Sequence, residues 1–142
     1  MIMQMSSQDW APLEQTDPGP AMVMIIDDDS DLVCDLSELL ESEGYEVATA
    51  SDGVDALNQL RQGLRPSAIL LDLMMPRMDG WDFRHEQMRD DELKEIPTIV
   101  LTAAGFSKAS VIAQFGSIEF VPKSSGHAVL LRVLKQSCAD LA

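Results

Sequence analysis

The sequence alternates five short apolar runs with longer stretches in which apolar residues recur at helical spacing. This alternation is typical of βα units, in which parallel strands are joined by helices that cover both faces of a sheet. We therefore expect an α/β fold with a doubly wound, five-stranded parallel sheet in three α/β/α layers. The predicted strands are Met22–Ile26, Tyr45–Ala48, Ala68–Leu71, Thr98–Leu101 and Glu119–Val121.

The composition of the runs predicts their places in the sheet. Three of them are uniformly apolar, which is typical of interior parallel strands that are covered on both faces. The second run alternates and the fifth is short, so we expect these two strands at the edges.

The stretches between the runs predict five helices. The first spans Asp31–Ser42, with Ser30 as its candidate N-cap and Gly44 beyond its end. The second helix carries Val54, Leu57 and Leu60, and the third begins near Gly80. The fourth lies around residues 109–114, and the fifth begins near His127.

The 142 residues fit one domain of ordinary size. Residues 1–20 lack periodicity and end in Asp17-Pro18-Gly19-Pro20, which breaks helices and central strands. We expect a flexible N-terminal leader over 1–20 and one folded domain over 21–142, with no residues for an output domain. Trp10 in the leader is a candidate docking residue.

Charge and hydropathy limit the classes of partner. A net charge of −14 repels phosphate backbones, so we expect proteins or cations as partners and no direct nucleic-acid binding. We see no apolar run of membrane-spanning length and no secretory signal. The lack of a secretory signal predicts a cytoplasmic location. Cys34 and Cys138 lack disulfide or zinc spacing, and we interpret both as reduced packing residues.

Acidic and polar residues follow the predicted strands. Asp27, Asp28 and Asp29 follow the first strand, and Asp72 follows the third. In addition, Thr102 follows the fourth strand and Lys123 lies two residues beyond the fifth. Because ligands of open α/β sheets bind beyond the carboxyl ends of the strands, we expect these side chains to converge there.

Crowded carboxylates repel one another unless a cation lies between them, and oxygen ligands without His or Cys favour Mg²⁺. Either Asp27-Asp28 or Asp28-Asp29 could form the metal-binding pair. The apolar run ends at Ile26, which favours Asp28 as a direct ligand and Asp27 as a direct or water-mediated one. Each aspartate alone could instead be a helix cap, but capping does not account for all of them together with a lysine.

The segment Leu71–Gly80, with the sequence LDLMMPRMDG, resembles the most characteristic segment of the response-regulator receiver family of two-component signal transduction. The resemblance covers residues 21–142 and is to single-domain chemotaxis receivers, which have a flavodoxin-like (βα)5 fold. Asp28 to Asp72 spans 44 positions, Asp72 to Thr102 spans 30, and Thr102 to Lys123 spans 21, as is usual in the family.

The resemblance implies a phosphorylation switch rather than an enzyme. Asp72 would accept a phosphoryl group from a sensor histidine kinase or phosphotransfer protein, and Lys123 and Thr102 would contact the phosphate. The resemblance also implies Mg²⁺ as cofactor, and a protein as the downstream target. The implied metal ligands are Asp27, Asp28, Asp72 and the carbonyl of Met74.

The output surface implied by the resemblance comprises the fourth helix, fifth strand and fifth helix, near Phe106, Phe115, Phe120 and His127. The sequence departs from the family at Ser124, where a proline usually follows the lysine. This departure leaves open a different path for the loop and a less favourable position for Lys123.

Two other functions stay open. The first is an aspartate-nucleophile Mg²⁺ phosphatase, although its DxDx(T/V) motif is absent after Asp72. The second is a receiver-like interaction module that works without phosphorylation.

Overall fold

The computed structural model describes residues 21–102, 108–115 and 118–139. Within them, five parallel strands form one sheet in the order β2-β1-β3-β4-β5. The strands are β1 (Met22–Ile26), β2 (Glu46–Ala50), β3 (Ala68–Asp72), β4 (Thr98–Thr102) and β5 (Glu119–Pro122). The helices are α1 (Ser30–Ser42), α2 (Gly53–Arg61), α3 (Gly80–Met88), α4 (Lys108–Phe115) and α5 (His127–Ala139).

The predicted places of the strands are confirmed. The three uniformly apolar runs are the interior strands β1, β3 and β4, and the second and fifth runs form the two edges. The prediction was wrong in detail for β2, which begins one residue later than Tyr45 and continues to Ala50. The backbone N–H of Tyr45 instead donates to the carbonyl of Leu40, so Tyr45 belongs to the turn that follows α1.

The start of α1 also differs from the prediction. Ser30 is the first helical residue and Asp29 is the N-cap. The backbone of Asp29 is extended, and its carboxylate accepts the N–H groups of Asp31 at 3.1 Å and Leu32 at 3.2 Å. Two otherwise unpaired N–H groups of the first turn are thereby satisfied.

Both faces of the sheet are covered, because alternate strand residues point to opposite faces. Val23 and Ile25 pack with Leu36 and Leu40 of α1 and with residues of α5. Met24 and Ile26 pack on the other face with residues of α2 and α3, including Leu60 and Phe83. This arrangement is the predicted doubly wound, three-layer fold.

The register places the carboxyl ends of the strands at one edge. Ile26 pairs with Leu71, Asp72 with Leu101, and Thr102 with Pro122. The residues at the ends of β1, β3 and β5 therefore leave the sheet at the same edge, with β4 between β3 and β5. No helix in the described ranges is long and apolar enough to span a membrane.

Some predictions fall outside the part of the chain that the structure describes. These are the leader over residues 1–20 with Trp10, the residue Phe106, and the side chains of Thr102 and Phe115.

Candidate functional site

Three carboxylates meet at the carboxyl edge of the sheet. Asp27, Asp28 and Asp72 each offer one oxygen atom, and these atoms all lie within 4.8 Å of one another. Asp27 and Asp72 are buried, whereas Asp28 is exposed. Asp29, the other candidate for the acidic pair, caps α1, while its N–H donates to Oδ1 of Asp27 at 3.0 Å.

Lys123 joins the two buried carboxylates. Its Nζ lies 2.9 Å from Oδ2 of Asp27 and 3.3 Å from Oδ1 of Asp72. Lys123 begins a short 3-10 helix that follows β5 and includes Ser124. The serine in place of the family's proline therefore does not remove Lys123 from the acidic edge, and the described residues contain no cis peptide bond.

The electrostatics of Asp72 are unusual for a carboxylate. Burial and the neighbouring Asp27 charge raise the pKa of Asp72 to about 6, although Lys123 and the N–H of Met74 oppose this rise. Burial alone would lower the pKa of Lys123, but contact with Asp27 and Asp72 outweighs burial and raises it. The edge therefore carries more negative charge than its single lysine neutralises.

The loop between β3 and α3 wraps closely around Asp72. The N–H of Met74 bonds to the Asp72 carboxylate, while the Met74 side chain is exposed. A Cβ atom at Gly80 would collide with the carbonyl oxygen of Asp72 and would lie 2.8 Å from Cα of Leu73. Only glycine therefore allows α3 to begin this close to the end of β3.

An ion pair holds the far side of the same loop. Arg77 has a positive φ of 64°, a conformation that is uncommon for a residue other than glycine. Its Nε donates to Oδ2 of the buried Asp52 at 2.6 Å. Asp52 also caps α2 by accepting the N–H of Asp55, and both interactions lower the pKa of Asp52. We call this contact the Asp52–Arg77 pair.

The Asp52–Arg77 pair and the close approach at Gly80 were not predicted from the sequence. Asp52-Gly53 directly precedes the apolar residues of α2, so the N-cap preference for aspartate could have identified Asp52. Nothing local to Arg77 marks its positive φ or its partner, which is 25 residues away.

Two further predicted residues lie on the strands next to this site. Thr102 ends β4, the strand that neighbours the Asp72 strand. Phe120 of β5 is half-buried and packs with Leu73 and Val111 in a small apolar cluster.

The donor set fits a hard divalent cation. All three clustered side chains supply carboxylate oxygens, which suit Mg²⁺ or Ca²⁺ rather than a thiophilic metal. Mg²⁺ usually retains several waters, and the exposure of Asp28 gives the cluster access to solvent. The arrangement can thus hold a cation next to the Asp72 carboxylate.

A five-stranded parallel sheet that carries acidic residues and a lysine at its carboxyl edge defines the class of protein. Residues 23–135 match the sequence profile of the response regulator receiver domain. The chain therefore belongs to the response regulator receiver domain family, whose members generally signal through phosphorylation.

Similar proteins agree with this assignment. A transcriptional regulatory protein CpxR homolog of Haemophilus influenzae is 32% identical over 114 residues, which are 80% of this chain and 48% of that protein. The solved structure of a response regulator from Chloroflexus aurantiacus has 30% identity and a TM-score of 0.76, and the match covers 84% of this chain and 98% of that one.

The Mn²⁺-bound form of response regulator Rcp1 has 27% identity and a TM-score of 0.68, and the match covers 82% of this chain and 91% of that one. Among the curated relatives, the matched part of the chain spans between 31% and 48% of their length.

The raised pKa of Asp72 predicts a pH-dependent effect of the Asp72→Asn substitution. Between about pH 4 and 6, the folded state binds more protons at the Asp72 carboxyl than the unfolded state does. The contribution of this carboxyl to the free energy of unfolding therefore falls as the pH rises. In EDTA, we expect Asp72→Asn to stabilise the protein at pH 7.5 by on the order of 1 kcal/mol and to have little effect at pH 4.

Urea denaturation at both pH values tests this expectation. Asp35→Asn is the matched control, because Asp35 is an exposed carboxylate of α1 outside the cluster. A stability gain of equal size at both pH values, or a loss at pH 7.5, would contradict the electrostatic account of Asp72.

Proposed function

We propose that the chain is a phosphorylation-activated switch of a two-component or phosphorelay system, and that Asp72 is its phosphoacceptor. The supporting observation is the environment of Asp72: a buried carboxylate beside Asp27, Asp28 and Lys123, with the family's MPxxDG loop around it. The phosphodonor is a histidine kinase or phosphotransfer protein.

The reaction transfers a phosphoryl group from nitrogen to oxygen. An Asp72 oxygen attacks the phosphorus of the donor's phosphohistidine, an O–P bond forms, the P–N bond breaks, and the imidazole leaves with the bond's electron pair. Only the ionised carboxylate is nucleophilic, and with a pKa of about 6 Asp72 is mostly ionised at neutral pH.

Asp27, Asp28, Asp72 and the Met74 carbonyl are the proposed Mg²⁺ ligands. When bound, Mg²⁺ would neutralise negative charge on the transferred group. The Lys123 ammonium already contacts Asp72, so it is positioned to pair with a phosphoryl oxygen there. The positive charges of Lys123 and a bound Mg²⁺ would compensate the repulsion that makes attack by an anion on a phosphate unfavourable.

The switch would connect Asp72 to the surface of α4, β5 and α5. The Thr102 hydroxyl would hydrogen-bond the phosphate and draw in the loop after β4. Leu73, which follows Asp72, packs in the same cluster as Val111 of α4 and Phe120 of β5. Movement at the acceptor would therefore change packing at the output surface. Phe120 has no hydroxyl, so packing alone would select its position.

The downstream partner is a protein that recognises this surface, as the net charge of −14 disfavours direct contact with nucleic acid. The charge also favours partners with basic contact surfaces. The absence of enzymatic activity and the cytoplasmic location stay predictions from the sequence.

Phosphorylation at Asp72 predicts a specific change in mass. After incubation with acetyl phosphate and Mg²⁺, the wild-type protein should gain one phosphate by intact-mass spectrometry, and Asp72→Asn should gain none. The adduct should be lost in hydroxylamine, because acyl phosphates are labile to nucleophiles. Asp28→Asn tests the role of the cluster, and we expect it to slow labelling at least tenfold.

An unchanged phosphate adduct on Asp72→Asn would place the acceptor elsewhere. An unlabelled wild-type protein that still folds and binds Mg²⁺ would favour the phosphorylation-independent module instead.

Mg²⁺ binding predicts a second result that does not depend on phosphate. Since a bound cation relieves repulsion among the clustered carboxylates, 10 mM Mg²⁺ should raise the melting temperature of the wild-type protein by several degrees. Asp28→Ala should lose this increase, whereas Asp35→Ala should keep it. A Mg²⁺-dependent increase of the same size in Asp28→Ala would show that the cation binds elsewhere.

A further inference from the structure

Arg84 of α3 lies at the opposite end of the sheet from Asp72 and has only neutral partners among the described residues. One of its terminal nitrogens donates to Oε1 of Gln87 at 2.8 Å and to the hydroxyl of Thr98 at 3.3 Å. Its Nε is buried without a hydrogen-bond acceptor in the described part of the chain. The side chain is half-buried, and burial lowers the pKa of its guanidinium.

The other arginines show how unusual this is. The chain has 24 acidic residues, and four of its six arginines form ion pairs with carboxylates. Arg132 is exposed on α5, where water solvates its charge. Arg84 alone combines partial burial with the absence of a carboxylate partner among the described residues. A cation removed from water in this way is unfavourable unless an anion accompanies it.

A cleft of about 530 Å³ opens beside Arg84, a size that suits a small molecule. Its uncharged polar lining residues are Thr98 and Ser137, and Arg84 lines it as well. Thr98 begins β4, so this side of the cleft lies about 13 Å of strand away from the acidic edge. The apolar lining residues are Ile96, Pro97, Ile112 and Ile118.

The charged residues of the cleft restrict the ligand further. Lys94 also lines the cleft but is paired with Asp91. Glu95 and Glu119 are exposed lining residues, and together with the charge of −14 they disfavour phosphate and other polyanions. A single carboxylate can instead pair with the second terminal nitrogen of Arg84, because the first already donates to Gln87 and Thr98. The isoleucine and proline side chains in the lining can contact an apolar body on such a ligand.

We propose that the Arg84 cleft binds a small organic monocarboxylate, with its carboxylate on Arg84 and its apolar body against Ile112 and Ile118. The site is separate from the acidic edge and does not depend on phosphorylation of Asp72. The proposal accounts for the one half-buried guanidinium that the described residues leave without a counter-charge.

Benzoate is the probe, and benzamide is its neutral analogue of the same shape. NMR titration of the full chain at 150 mM NaCl should show saturable benzoate binding with millimolar affinity, with shifts at Thr98 and at the Ile112 and Ile118 methyl groups. Benzamide and sulfate should bind at least tenfold more weakly. Arg84→Met should weaken benzoate binding at least tenfold, whereas the control Arg132→Met should leave it unchanged.

Two further measurements separate ligand binding from a structural role. Without ligand, Arg84→Met should be at least as stable as the wild-type protein, because Gln87 keeps its own bonds to Thr98 and to the carbonyls of Leu93 and Ile96. Ile112→Glu changes an exposed side chain and should also weaken benzoate binding tenfold, by like-charge repulsion.

The proposal is overturned if the wild-type protein shows no saturable benzoate binding, or if benzamide binds equally well. It is also overturned if Arg84→Met or Ile112→Glu keeps the wild-type affinity, or if Arg84→Met is less stable than the wild-type protein.

Discussion

The contact of one lysine with two buried carboxylates is the interaction on which the acidic edge depends. The register of β1 and β3 pairs Ile26 with Leu71, so Asp27 and Asp72 leave the sheet side by side whatever their repulsion. Lys123 lies within 3.3 Å of both carboxylates. Because one positive charge faces two buried carboxylates and the nearby Asp28, the edge favours a further cation. The fold thus keeps carboxylates close enough to repel one another, and binding of a cation can relieve this repulsion.

The loop around Asp72 is fixed from two sides. At its end, α3 approaches the end of β3 so closely that only glycine fits at position 80. In its middle, the Asp52–Arg77 pair joins the loop to the start of α2. Leu73 packs beneath the loop with residues of α4 and β5. Because the loop is held in place, we propose that a phosphoryl group on Asp72 changes the packing of the cluster around Phe120 instead of only moving the loop.

Much of the fold could be predicted from the sequence, because uniform apolar runs and helical spacing are local patterns. They gave five strands in the correct interior and edge positions, and the strand ends indicated Asp27, Asp28, Asp72 and Lys123. Details that depend on competition between neighbours were missed: Asp29 rather than Ser30 caps α1. The pair of Arg77 with Asp52 and the exposure of Arg84 to a cleft depend on residues that are distant in sequence. No local sequence pattern marks either feature, so they could be recognised only in the structure.

We propose that a phosphoryl group at Asp72 changes the packing of the distant surface formed by α4, β5 and α5. Beryllofluoride with Mg²⁺ mimics an aspartyl phosphate, and backbone NMR of the wild-type protein with and without it tests the claim most directly. The account predicts shifts that extend from Asp72 and Lys123 through Leu73 and Val111 to Phe120 and α5, and no such shifts in Asp72→Asn. Shifts confined to residues 27, 28, 72 and 123 would contradict the account, because the site would then bind a phosphoryl group without switching.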